Sequence, residues 1–165
     1  MTAGTTAVTT KAQGDALENL VAYVFGTVPG ITLTRRDAKN AFKTEEIDLA
    51  FWNERDPSGL FFLPHIILVE CKNWSSRVGS EHVSWFDTKL RSRGLSFGVL
   101  VAVNGITGKG SNRTEAHSVI AKALSEQRQL IVITADELRS LTTTDALIHL
   151  LKEKLCDLAV SGGLA

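Results

Sequence analysis

Glu70 and Lys72 close the stretch Ile66-Ile-Leu-Val-Glu-Cys-Lys-Asn-Trp74, in which four branched aliphatics run straight into a carboxylate and an amine. An apolar run bounded by Pro64 and a serine-containing loop predicts a central strand covered on both faces. Strand side chains alternate, so Ile66, Leu68, Glu70 and Lys72 share one face while Ile67, Val69, Cys71 and Asn73 share the other. Charges at the end of so apolar a strand lose hydration energy that something must return. One answer is a strand-end ion pair at the sheet margin. The other is a metal ion with a phosphate, whose charge would offset the desolvation of the carboxylate. These residues alone leave the two readings level.

Two more carboxylates stand on or beside apolar faces. The segment from Glu45 to Asn53 alternates cleanly, with Ile47, Leu49 and Phe51 on one side and Asp48, Ala50 and Trp52 on the other, so Asp48 shares its side with two apolar residues. Upstream, Asp15 to Phe25 has helical spacing through Leu17, Leu20, Val21, Val24 and Phe25, with Gly26 as a stop. At ~100° per residue, Glu18 projects only about 20° from Phe25, two turns on. A glutamate at that border either snorkels to water or faces a site. Asp15 and Asn19 are expected on the solvent side.

The elements that position these groups follow from the punctuation of the chain. Ile31 to Arg36 predicts a short strand, Asp37 to Asn40 a polar turn, and Glu45 to Asn53 a second strand. The turn formers of Asn53-Glu-Arg-Asp-Pro-Ser-Gly59 send the chain back as a strand from Leu60 to Lys72. An antiparallel pair about that turn puts Asp48 and Glu70 towards the same end of the sheet. Glu81 to Arg91 is a helix with Val83, Phe86 and Leu90 inward and Lys89, Arg91 and Arg93 as a basic end. Leu95 to Val103 is a buried strand leading into the glycine-rich loop Asn104 to Arg113, whose Lys109 and Arg113 either touch phosphates or are simply solvated. A helix from Glu115 to Arg128, a strand from Leu130 to Thr134, a short helix from Ala135 to Leu141 and an amphipathic helix from Asp145 to Val160 complete the chain. The order is α-β-β-β-α-β-α-β-α-α, which predicts one α/β domain over residues 14–165 with a mixed central sheet of four to five strands flanked by helices. A loose polar segment over residues 1–13 precedes it.

Composition narrows the class of protein. The chain has 165 residues, 44% hydrophobic and 22% charged, enough for one domain with a real core. Lysine plus arginine equals aspartate plus glutamate at 18 each, so no overall positive field announces a nucleic acid and any such binding must rest on a local patch. Cys71 and Cys156 are the two cysteines, one in the apolar strand and one in the last helix, which suggests reduced thiols and implies no disulfide framework. Met1 to Gly14 lacks the apolar core of a secretory signal, and no apolar run approaches the ~20 residues of a membrane span. The cytoplasm is the expected location.

An Asp on one strand, Glu-x-Lys at the end of the next, a preceding helix with a Glu and an α-β-α continuation together resemble the PD-(D/E)XK nuclease superfamily. Gly14 followed by Glu18, the run Val69-Glu-Cys-Lys-Asn-Trp74, and Gly98-Val-Leu-Val-Ala102 with Gly105-Ile-Thr-Gly108 are similar to the Mrr-like restriction endonucleases and the archaeal Holliday-junction resolvases. Ile47 stands where the motif's name has Pro, and the long interval from Asp48 to Glu70 places an extended hairpin there.

The resemblance implies a restriction-endonuclease-like fold and a Mg²⁺-dependent endonuclease acting on DNA in restriction, defence or DNA processing, with Mn²⁺ able to substitute and RNA left open. It implies Glu18, Asp48, Glu70 and Lys72 as catalytic residues. Mg²⁺ is a hard cation held by one or two carboxylates plus water and phosphate oxygens, which suits Asp48, Glu70 and the carbonyl of Cys71, with Glu18 reaching the ion through a water or completing a second position. The thiol of Cys71 is not expected to be a ligand. Lys72 would orient the attacking water or stabilise the pentavalent phosphate. His82, Trp85 and Lys89 lie on the helix where related enzymes place an accessory polar residue, and the sequence does not choose among them. Lys89, Arg91, Arg93, Lys109 and Arg113 are the expected phosphate-contacting patch. Zero net charge implies that a second copy or a partner subunit supplies target choice. The alternative is a catalytically silent nucleic-acid-binding or assembly module on the same fold, against which the presence of all four residues argues.

Three other motifs lose on context. Gly94-Leu-Ser-Phe-Gly98 fits G-x-S-x-G, but a strand follows Ser96 where a nucleophile elbow needs a helix. Gly105 to Ser111 lacks the first glycine of a phosphate loop, Val103 standing in its place. His149, Glu153 and Cys156 share a helical stripe without the second ligand pair of a zinc site.

Overall fold

The computed structural model describes residues 10–108 and 115–163. Lys109 and Arg113 of the expected patch, and residues 1–9 of the N-terminal segment, lie outside the described residues. The chain forms α1 (Thr10–Gly26), β1 (Ile31–Lys39), β2 (Glu46–Asn53), β3 (Ile66–Lys72), α2 (Ser80–Ser92), β4 (Phe97–Ala102), α3 (Glu115–Ser125), β5 (Gln129–Ile133), α4 (Ala135–Ser140) and α5 (Thr144–Ser161). The sheet order is β1-β2-β3-β4-β5. β1, β2 and β3 are antiparallel, and β3, β4 and β5 are parallel. The two parallel joins need crossovers, which α2 and α3 supply. No described helix is long and apolar enough to cross a membrane.

Hydrophobic pattern explains the layers. All six residues of β4 are buried, as expected for a strand covered on both faces. On one side α1 buries Leu17, Val21 and Phe25, with the Phe25 ring stacked on Phe51 of β2 at 5.2 Å. On the other, α2 buries Val83, Phe86 and Leu90 over β4. Gly98 lets it come close: a Cβ there would lie 2.7 Å from Phe86 and 2.8 Å from Leu90. The buried Arg128 binds both oxygens of Asp87 at 2.7 and 3.0 Å, tying α2 to the chain after α3.

The expected boundaries move by three residues or more in four places. α1 starts at Thr10, ahead of the predicted Asp15. β1 runs on through Asp37 to Lys39, and the turn falls later, where the Asn40 side chain accepts from the amides of Thr44 and Glu45 at 2.9 and 3.3 Å. β3 starts at Ile66 and not at Leu60, because the Asn53 amide donates to the carbonyls of Leu60, Leu63 and Pro64 at 2.8, 3.3 and 3.1 Å. Those bonds coil the chain and bury Leu60 and Leu63 outside the ladder. α3 ends at Ser125, short of Arg128, since Gln127 turns left-handed at φ 64°.

Candidate active site

Register places three carboxylate-bearing residues in one row. Arg36 pairs with Leu49 and Ala38 with Ile47, so Asp37 of β1 stands opposite Asp48 of β2. On the other side of β2 the last ladder pair is Leu49 with Val69, one step short of Asp48 opposite Glu70. Like charges facing one another across strands are destabilising, so such a row is a liability to the fold. Glu18 comes in from α1: its carboxylate and those of Asp37 and Asp48 each offer an oxygen within 4.8 Å of the others.

Asp48 is held by what the ladder leaves over. Where the β2–β3 pairing stops, the amide of Cys71 donates to Asp48 Oδ2 at 2.7 Å. That bond favours the carboxylate, yet burial, the charge of Glu70 and that of Glu18 outweigh it and push the Asp48 carboxyl up to about 7. Glu18 is buried and also shifted up, first by burial and then by Asp37, against the pull of Arg36. Arg36 Nε binds Glu18 at 3.0 Å and its other nitrogens reach Asn19 and the carbonyl of Asp15. Asp15 and Asn19, expected to face solvent, thus help to hold the arginine that orients Glu18.

Glu70 has a different environment. Its side chain is 5% exposed and its Oε1 lies 3.0 Å from Lys72 Nζ. Lys89 Nζ, from α2, lies 3.0 Å from both oxygens. Burying one carboxylate between two ammonium groups replaces the hydration it loses. Burial, then the charge of Asp48, pushes the Cys71 thiol far above the ordinary thiol range.

The structure therefore brings Glu18, Asp48, Glu70 and Lys72 together and adds Asp37 and Lys89. Asp37 was hidden by its polar neighbours, which resemble a turn, and only the β1–β2 register reveals it. Lys89 belongs to the helix that the accessory position pointed to, three residues beyond the buried Phe86. Of the expected phosphate patch, Lys89 is turned inward onto Glu70, and Arg93 is bound to Glu45 at 2.7 Å. Arg91 remains exposed.

A cleft of about 380 Å³, lined by Lys11, Gly14, Asp15, Glu18, Asp37 and Glu46, opens over the carboxylates. The donors are hard oxygens, and they are crowded: burial first, then the charge of Glu70 on Asp48 and of Asp37 on Glu18, raises both carboxyls. Both properties fit a Mg²⁺-type ion.

A mixed five-stranded sheet flanked by helices, with these carboxylates near one end of β2 and β3, is the restriction-endonuclease-like fold. The family model Mrr_cat, described as a restriction endonuclease, matches residues 9–142, and the chain belongs to that family. No curated protein matches it. Among solved structures it is similar to SfsA of Pyrococcus furiosus in complex with Ca²⁺, with 15% identity over 76% of this chain and a TM-score of 0.39. The chain spans 57% of the length of that structure.

Proposed function

We propose that the domain is a Mg²⁺-dependent endonuclease that hydrolyses phosphodiester bonds of DNA, with Mn²⁺ able to substitute. The observation that supports it best is the meeting of the Glu18, Asp37 and Asp48 carboxylates beside a Glu70–Lys72 pair at one end of the sheet. Asp48, Glu70 and the Cys71 carbonyl would hold the cation, with Glu18 reaching it through a water or at a second position. The bound cation supplies Lewis acidity, lowering the pKa of water and screening charge on the phosphate. Lys72, fixed by Glu70, orients the attacking water towards phosphorus and stabilises the developing negative charge. Lys89 holds the Glu70 carboxylate from the α2 side, the Cys71 amide orients Asp48, and Arg36 orients Glu18. Balanced net charge supports target choice by a second copy or a partner subunit.

The test is cleavage of a labelled panel of linear duplex, supercoiled circle, single strand, four-way junction and RNA by wild type and Lys72→Ala, with Mg²⁺, Mn²⁺ or EDTA. Metal-dependent cutting that Lys72→Ala abolishes is the expected result, and the preferred probe defines the substrate. Binding without cutting, unchanged in Lys72→Ala, would replace the nuclease with a silent binding or assembly module.

A further inference from the structure

Along α2, His82, Trp85 and Lys89 fall on one stripe at i, i+3 and i+7. The Lys89 end of the stripe touches Glu70. At the other end the His82 ring packs edge-on between Trp74, which follows β3, and Trp85, with centroids 4.5 and 4.8 Å away and planes at 84° and 85°. Lys72 Nζ lies 5.4 Å from the Trp74 ring. The three rings thus make a wall that begins at the amine assigned to the reaction and ends at Trp85, which is 54% exposed.

A second cleft, of about 390 Å³, is lined by this indole and Lys89 on one side and by Thr44, Glu45 and Glu46 on the other. Its size is within the ~300–1,000 Å³ of small-molecule clefts. Glu46 also lines the cleft over the carboxylates, so the two hollows share a rim. Arg93 fixes Glu45 at its place in the lining. Two carboxylates make a poor seat for a phosphate. They accept hydrogen bonds from N–H groups, while an indole offers a flat π face. A planar, uncharged group with N–H donors on its edge matches both, and on a DNA substrate that group is a nucleobase. Within a continuous duplex the base faces are stacked and the pairing edges occupied, so the occupant must be unpaired.

We propose that this cleft takes an unpaired nucleobase next to the phosphate being cut, stacked on Trp85 and hydrogen-bonded through its amino group to Glu45 or Glu46, a reading that rests on the nuclease assignment. The domain then prefers strands with an unpaired cytosine, adenine or guanine near the cut over continuous duplex, and takes an unpaired thymine less well, because its one edge donor, N3–H, stands between two carbonyl oxygens that the carboxylates repel.

Fluorescein-labelled oligonucleotides test it: a fully paired duplex, the same duplex with one unpaired cytosine or one unpaired thymine, and a single strand. Anisotropy gives affinities with Ca²⁺ or EDTA in place of Mg²⁺, and cutting is followed separately with Mg²⁺ and Mn²⁺. Base–aromatic stacking is worth ~1–3 kcal/mol, so Trp85→Ala is expected to reduce the preference for the unpaired-cytosine probe over the paired duplex by about tenfold. Trp85→Phe should retain most of the preference, and Trp52→Ala, on β2 beside His65, all of it. A wild type without the preference, or a preference unchanged in Trp85→Ala, overturns the proposal. If the preference is present and depends on Trp85 but nothing is cut, the cleft stands and the nuclease reading falls. Metal-dependent cutting without preference, the same in Trp85→Ala, leaves the nuclease and removes the cleft.

Discussion

Lys89 Nζ sits 3.0 Å from both carboxylate oxygens of Glu70, so a residue of α2 clamps the acidic member of the Glu-x-Lys pair and shares its Oε1 with Lys72. The clamp couples the packing of α2 to the geometry of the site.

Removing the clamp leaves a buried carboxylate with one ammonium in place of two. Lys89→Ala is expected to lower stability by about 2 kcal/mol, less than the ~3–5 kcal/mol of a fully orphaned buried charge because Lys72 remains. Urea denaturation of Lys89→Ala, Glu70→Ala and the double variant measures it. Additive losses would show that the two residues do not interact.

Asp48 gives the fold a pH dependence of definite sign. Its carboxyl titrates at about 7 when folded, above its ordinary value near 3.8 in the unfolded chain. The folded state therefore binds the extra proton in that window, and the stabilisation is complete below the unfolded value and lost as pH rises through about 7. Asp48→Asn, which keeps an oxygen for the Cys71 amide, should melt several degrees higher than wild type at pH 8 and about the same at pH 4. A pH-independent difference in melting temperature would contradict this.

Cation binding should relieve the same repulsion. Mn²⁺ is expected to raise the melting temperature of wild type at pH 8 and to release protons when added at pH 6, as metal binding to a protonated ligand does. Asp37→Asn should weaken Mn²⁺ by about tenfold in titration calorimetry, as the loss of an outer or inner ligand does. Equal affinities would place Asp37 outside the site.

Gly98 tests the link between packing and chemistry. Gly98→Ala puts a methyl group into Phe86 and Leu90, both fully buried, so the overpacking should cost about 1–3 kcal/mol and push α2 off the sheet. Lys89 moves with it. Cutting should fall more than the loss of folded protein explains, and unchanged specific activity in the folded fraction would break the link.

Much of this was legible before folding. Period-two alternation placed Ile47, Leu49 and Phe51 in the core and set Asp48 apart, and the turn formers after Asn53 brought β3 back beside β2. The carboxylates of the row are close because backbone register makes them so. What stayed hidden depends on side chains acting at a distance. Asn53 shortens β3 through three carbonyls, Lys89 uses its aliphatic stem to bring its charge back to Glu70, and Arg93 spends on Glu45 the charge that seemed available for phosphate. Asp37 escapes the sequence because Asp37 to Asn40 is rich in turn chemistry, yet β1 continues through Asp37 to Lys39.

The β2–β3 hairpin also bears on the order in which the molecule assembles. Glu18 to Lys89 all precede β4 and β5, and Asp48 meets Glu70 through an antiparallel return that needs no crossover. Local pairings of this kind close early, whereas β4 and β5 join only after α2 and α3 have been made. That order would gather the mutually repelling carboxylates before the strands that complete the core have joined. A divalent cation held there, as proposed for the domain, would steady this half before the core around it is complete.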